Sequence, residues 1–221
     1  MPSPKNINIV DVLHHDVYPR IETRNGGALS KASEGKTLLI TGASKGIGRS
    51  IALLHAHTHP RSIIITARTA SSLDLVATEI AAIDPKIRII KASVDVDDAT
   101  AVSAFFKDLR EVEKVGRIDV LFNNAGYLEQ DLSTWTSTIN TNIIGVANFT
   151  HEFLRHNFAA VGGSPDGTTE GKNKQALKDV SVIVTSSAGA LVSFPGFSAY
   201  QPTSKFFPAC NYSSGADYRT L

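Results

Sequence analysis

Two residues near the end of the chain are of types that can handle a proton together. They are Tyr200 and Lys205, in the stretch "SAYQPTSKF" (198–206). A phenol held beside an ammonium can give a proton to an oxygen atom or take one from it. The spacing is unusual for such a pair, because the two stand five positions apart with Pro202 between them. Side chains that cooperate on a helix sit three or four apart. At ~100° per residue, a partner at i+4 lies ~40° off the same face and one at i+5 lies ~140° off. Pro202 also lacks an N–H and disfavours the helical state for Gln201. Either a π-bulge absorbs the extra residue or a helix restarts near Pro202. Otherwise Lys205 points away from Tyr200.

A second set of residues could hold a phosphate. "TLLITGASKGIGRSIA" places Gly42, Gly46 and Gly48 directly after an apolar run and at the start of a helical pattern. Glycine admits positive φ and a close approach of ligand to backbone. The free N–H groups at the helix start then suit a pyrophosphate, and the strand–turn–helix context makes the motif specific. A dinucleotide site that takes NAD usually has an acid at the end of the next strand, against the ribose 2′-hydroxyl. Here "SIIITAR" ends in Arg68, no acid is near in the sequence, and Lys45 lies within the glycine turn. Two cations without a carboxylate suit a 2′-phosphate, so the expected cofactor is NADP.

Elements that alternate strand and helix must position these residues. "TLLIT" (37–41), "SIIITA" (62–67), "KIRIIKA" (86–92), "RIDVLFNN" (117–124) and "VSVIVTSSA" (180–188) read as strands. Residues 71–83, 98–112 and 138–158 carry helical apolar spacing, as does the segment after the glycine turn. This order predicts βαβ units and a parallel sheet covered on both faces, a Rossmann-type, doubly wound α/β fold. Residues 1–35 read as an N-terminal arm: a short strand in "NINIVDVL", then a flexible connector, "TRNGGALSKASEGK". Residues 36–205 form the nucleotide-binding domain, with 162–175 a polar surface insertion, and 206–221 an atypical tail.

Composition narrows the class. The 221 residues are 42% hydrophobic and 19% charged, as in a globular domain. A net charge of +1 gives no basic footprint for nucleic acid. No apolar run reaches the roughly 18 residues of a membrane span, and the first 20 residues lack the pattern of a leader. With the single Cys210, these features point to a cytoplasmic protein.

The motifs together resemble the short-chain dehydrogenase/reductase family. Thr41 to Gly48 match its T-G-x-x-x-G-x-G turn, which implies that Gly42, Ser44, Lys45, Gly46, Ile47 and Gly48 meet the cofactor. Asp95 in "ASVDVDD" falls where the family has an acid that holds the adenine. "NNAG" (123–126) is similar to its motif at the end of strand four, so Asn123, Ala125 and Gly126 are expected at the cofactor. Asn142 in "NTNIIG" matches the family's helix asparagine. Ser187 stands 13 residues before Tyr200, the usual spacing, with Ser186 the alternative. The resemblance implies hydride transfer between NADP(H) and a carbonyl or alcohol. Ser187 would donate to the reacting oxygen and Tyr200 would supply or take the proton. Lys205 would favour the phenolate and hold the nicotinamide ribose, and Asn142 would place a water. Leu191, Val192, Phe194 and Phe197 would line an apolar substrate pocket.

The chain departs from the family twice. The family's pattern is Tyr-x-x-x-Lys, one residue shorter than the pair here. After Lys205 the chain runs "FFPACNYSSGADYRTL", where the family continues with a long helix, two further strands and a lid. Pro208 argues against the long helix. The expected protein is therefore a Rossmann-type sheet lacking its last strands, with an exposed edge at strand five and doubtful homo-oligomerisation. The alternative to an enzyme is an NADP-binding, inactive isoform. No metal site is expected, because His55 and His59 share a helix face but no third ligand is evident. The pair Phe105–Phe106 reads as core.

Overall fold

The computed structural model describes residues 19–128, 132–164, 170–191 and 198–209. The short apolar runs become strands β1 (Thr37–Thr41), β2 (Ser62–Ala67), β3 (Arg88–Ser93), β4 (Val120–Asn123) and β5 (Ser181–Val184). They form one sheet in the order β3-β2-β1-β4-β5, and every pairing is parallel. All residues of β1 and β2 are buried, as the middle of a sheet covered on both faces requires. On β3 and β5, the edges, exposed positions recur. The chain winds one way from β1 to β3 and then crosses to β4. A crevice therefore opens between the C-terminal ends of β1 and β4.

Alternation along the strands sorts the core into two layers. Leu38, Ile40, Ile63, Ile65 and Phe122 face α1 (Gly46–Ala56) and α2 (Ser71–Ile83), where they meet Ala52, Ala56, Leu73, Val76 and Ile80. Leu39, Ile64 and Leu121 face the other way. There they meet Val102, Phe106 and Leu109 of α3 (Ala99–Glu111), together with Phe149 and Phe153 from the long helix before β5. Phe105 and Phe106 belong to this layer, as expected, and both rings contact Phe149. Each such side chain removed from water is worth about 1.5–3 kcal/mol. Asp98 caps α3 by accepting from the N–H groups of Thr100 and Ala101, both at 2.9 Å.

Several segments differ from the sequence expectation. The single helix expected over 138–158 is three pieces in one run: α4 (Trp135–Ile139), a π-helical turn (Asn140–Ile144) and α5 (Gly145–Ala160). In the π turn the Gly145 N–H bonds back to the Asn140 carbonyl, five residues away. The polar insertion is partly helical: α6 (Glu170–Leu177) starts inside it and buries Ala176. Residues 22–36 form hydrogen-bonded turns where a flexible connector was expected. The Leu29 N–H reaches the Glu22 carbonyl (2.9 Å), and buried Ser33 pairs with His55 (2.7 Å). The expected strand in "NINIVDVL" and the tail after 209 lie outside the described residues.

The stretch around Tyr200 is one α-helix, α7 (Tyr200–Ala209), with neither a π-bulge nor a restart. Pro202 is tolerated because it lies in the first turn, where N–H groups have no intrahelical acceptor. Pro208 lies near the far end. It has no N–H to give to the Ser204 carbonyl, and the Ser186 hydroxyl donates to that carbonyl instead (2.9 Å).

Candidate active site

One cavity of about 500 Å³ opens at the C-terminal end of the sheet. Its wall is assembled from the ends of all five strands and from α7. After β1 come Gly42, Ser44, Lys45, Gly46 and Ile47; after β2, Arg68; after β3, Asp95; after β4, Asn123 to Leu128. After β5 come Thr185 and Ser186, and the helix presents Tyr200, Thr203 and Ser204.

The glycine turn is shaped by close approaches. Gly42 has φ +64°, and a Cβ there would lie 2.8 Å from the Ala125 Cα. Gly48 does not line the cavity. A side chain there would strike the Gly42 carbonyl and the Asn124 amide, so this glycine lets α1 meet the "NNAG" loop. That loop is fastened to β1 by hydrogen bonds. Thr41 Oγ1 accepts from the N–H groups of Asn124 and Ala125 (3.0 Å each), and Asn124 Nδ2 donates to the Thr41 carbonyl (3.2 Å). Helix α1 begins without a side-chain cap, which leaves its first N–H groups free for an anion.

The cations stand where the sequence puts them, but the fold adds an acid. Lys45 and Arg68 both line the cavity. Asp97, two residues beyond Asp95, lies within the electrostatic reach of Arg68. Burial, and then the Asp95 charge, push the Asp97 carboxyl above its usual range. The absence of any acid near Arg68 in the sequence does not carry over to the structure, because β2 and β3 run side by side in register, with Ala67 opposite Ser93.

At the other end of the cavity the catalytic candidates part company. Asn142 sits on the π turn with its amide committed to protein partners. Its Oδ1 accepts from the Tyr127 N–H (2.8 Å), and its Nδ2 donates to the Tyr127 carbonyl (3.0 Å) and to Thr203 Oγ1 (3.1 Å). Ser187 and Tyr200 both flank Gly189, and Ser187 does not line the cavity. A methyl built on Gly189 would be 3.5 Å from both the Ser187 Oγ and the Tyr200 ring, and the Ser187 Oγ accepts from the Gly189 N–H (3.1 Å). Ser186, the alternative, does line it. Lys205 is exposed and outside the cavity, because an unbroken helix turns residue i+5 away from the face of Tyr200. The position that shares the face is Ser204. Leu191 is exposed, and Val192, Phe194 and Phe197 lie outside the described residues.

Asn124, Tyr127, Thr203 and Ser204 line the cavity without having been singled out in the sequence. Thr203 and Ser204 follow from counting three and four residues on from Tyr200 along an unbroken helix. Among the described residues, no helix is long and apolar enough to cross a membrane, and no group of three or more acids, histidines or cysteines could hold a metal.

The fold and the place of this cavity are those of the doubly wound α/β class, and similarity to known proteins agrees. A profile of the short chain dehydrogenase family matches residues 36–209, so the chain belongs to that family. It is 30% identical over 215 residues to the short chain dehydrogenase mpl6 of Monascus purpureus, a match that covers 90% of this chain and 64% of that protein. The alcohol dehydrogenase of the archaeon Thermococcus sibiricus, solved with 5-hydroxy-NADP, superposes with a TM-score of 0.62 at 25% identity, over 79% of this chain and 68% of that one. An NAD⁺-bound xylitol dehydrogenase superposes with a TM-score of 0.65 at 21% identity, over 81% of this chain and 64% of that one. Both nicotinamide cofactors thus occur on this fold. The chain spans about 64% of the length of the first of these relatives.

Proposed function

We propose that this chain binds NADP(H) and carries out hydride transfer between it and a small, apolar carbonyl or alcohol. The observation that supports this most is a single cavity with Lys45 and Arg68 at one end and Tyr200 at the other. The residues fit such a cofactor. The uncapped start of α1 and the glycine turn would hold the pyrophosphate, Lys45 and Arg68 the 2′-phosphate, and Asp95 the adenine. The cofactor supplies the hydride when bound. Tyr200 would give its proton to the carbonyl oxygen, or take one from the alcohol, and Ser187 would steady the charge on that oxygen.

A second reading has one observation in its favour. With Lys205 turned outward, α7 brings no cation to Tyr200. The chain would then bind the cofactor and turn over slowly, or not at all. One experiment separates the readings: NADPH oxidation over a panel of apolar ketones, beside titration of both cofactors. The proposal expects at least about tenfold tighter binding of NADP(H) than NAD(H), close to 1.4 kcal/mol, reversed by Arg68→Asp. It also expects measurable turnover that Tyr200→Phe abolishes without loss of affinity. Equal affinities would sink the assignment of NADP, and unchanged turnover in Tyr200→Phe would place the chemistry elsewhere.

A further inference from the structure

Tyr200 is the first residue of α7, so its backbone belongs to the helix's first turn. One tether that ties that turn to the π turn is a buried hydroxyl. Thr203 is 3% exposed. Its Oγ1 donates to the Tyr200 carbonyl at 2.9 Å and accepts from Asn142 Nδ2 at 3.1 Å. Asn142 in turn grips both the N–H and the carbonyl of Tyr127, at the end of the loop that follows β4. A continuous path of hydrogen bonds therefore runs from that loop, through the π turn, to the backbone of Tyr200. All four of these residues line the cavity.

We propose that Thr203 is a positioning residue. Its hydroxyl sets where the Tyr200 ring stands in the cavity by tying the tyrosine's own carbonyl to the Asn142 amide. The inference rests on the reading of Tyr200 as the proton donor. Threonine can serve because its Oγ1 reaches the carbonyl three residues back while keeping a lone pair for a second partner. Without the hydroxyl, Asn142 Nδ2 has one donor fewer satisfied and the first turn of α7 loses its tether. A shift of about 1 Å at a reacting group can cost a hundredfold in rate.

The test compares Thr203→Val, which keeps the shape and removes the hydroxyl, with Thr203→Ser, which restores it. Each variant carries ring-labelled tyrosine and is saturated with NADPH. The Tyr200 NMR signal is assigned by its loss in Tyr200→Phe. Thr203→Val is expected to shift or broaden that signal and to lower kcat roughly tenfold or more, within the range set by such a misplacement. NADPH affinity should stay within about twofold, since the hydroxyl faces Asn142 and the helix. Thr203→Ser should restore both signal and rate. If Thr203→Val does not fold, the smaller Thr203→Ala takes its place in the same comparison. An unchanged signal in Thr203→Val overturns the proposal. So does a Thr203→Ser variant as impaired as Thr203→Val, because the defect would then lie in packing. Turnover surviving in Tyr200→Phe would sink the proton-donor reading instead, and the Tyr200 signal would still decide the role of Thr203.

Discussion

The side chain that faces a cavity is decided by helix phase, and here the phase selects a serine. Tyr200, Thr203 and Ser204 share the inner face of α7, and Lys205 faces solvent. The register cannot easily turn to correct this, because Asn142 holds Thr203 and Ser186 holds the Ser204 carbonyl. Lys205→Ala should therefore change cofactor affinity and turnover by less than about twofold, the behaviour of a solvated lysine. Ser204→Lys should bring an ammonium to the tyrosine's face. It should raise turnover by about tenfold or more and move the pH profile of alcohol oxidation to lower pH. Steady-state rates from about pH 6 to 10, spanning the range in which a phenol titrates, would check both variants. That Gly42, Gly46, Arg68, Asp95 and Asn142 line one cavity was legible because they follow the ends of strands or belong to local motifs, whereas Gly48 of the same turn stands outside it. Asp97, within electrostatic reach of Arg68, was not, since that reach depends on how β2 and β3 align.

The elements were legible where burial is uniform. β1 and β2 read as unbroken apolar runs because both of their faces are covered, and the structure buries every residue of each. The π turn was invisible, since one extra residue in a helical turn leaves no periodic trace over five residues. Helix α6 was hidden by its polarity, for only Ala176 is deeply buried among its residues with a described environment. Helix α7 was obscured by two prolines, each of which the structure accommodates. The second makes a specific prediction. Ser186 replaces the donor that Pro208 lacks, so Ser186→Ala should cost about 1 kcal/mol in stability. In a Pro208→Ala background the new N–H can serve the Ser204 carbonyl, and the same Ser186 substitution should then cost less than half as much. Urea midpoints of the four proteins close this double-mutant cycle. Equal costs in both backgrounds would show that the hydroxyl and the proline are unrelated.

For the whole molecule, a buried histidine, His156, and a half-buried one, His55, are expected to contribute to the response to mild acid. His156 donates from Nε2 to the Gly116 carbonyl (2.5 Å), and the ring is fully buried. His55 is bonded to Ser33 and lies against the Phe122 ring at 5.1 Å. Burial, more than any neighbouring charge, pushes both below the ordinary histidine value. The unfolded chain then binds more protons than the folded one between each depressed pKa and about 6.5. This contribution to stability is fully present above that window and is lost as pH falls through it. Denaturant midpoints should decline as pH falls below about 6.5 and these groups charge, and His156→Gln should flatten the decline. A slope unchanged by that substitution would assign the acid sensitivity elsewhere. At this scale the sequence disclosed the class of fold, through alternating strands and helices, but the histidines read only as a helix end or passed unremarked.

The place of β4 in the sheet has a consequence in time. β1 lies between β2, which follows it closely in the chain, and β4, whose pairing brings Thr37 to Asp119 across 82 residues. Closing the longer loop carries the greater entropic penalty, so the β1–β2–β3 half can assemble before β4 docks. The crevice exists only after that docking, since the "NNAG" loop and the Asn142 turn both follow β4. During refolding, about half of the helix and most of the sheet should form while the protein is still blind to its ligand. In stopped flow, the rise in bound-NADPH fluorescence should lag the recovery of far-ultraviolet circular dichroism.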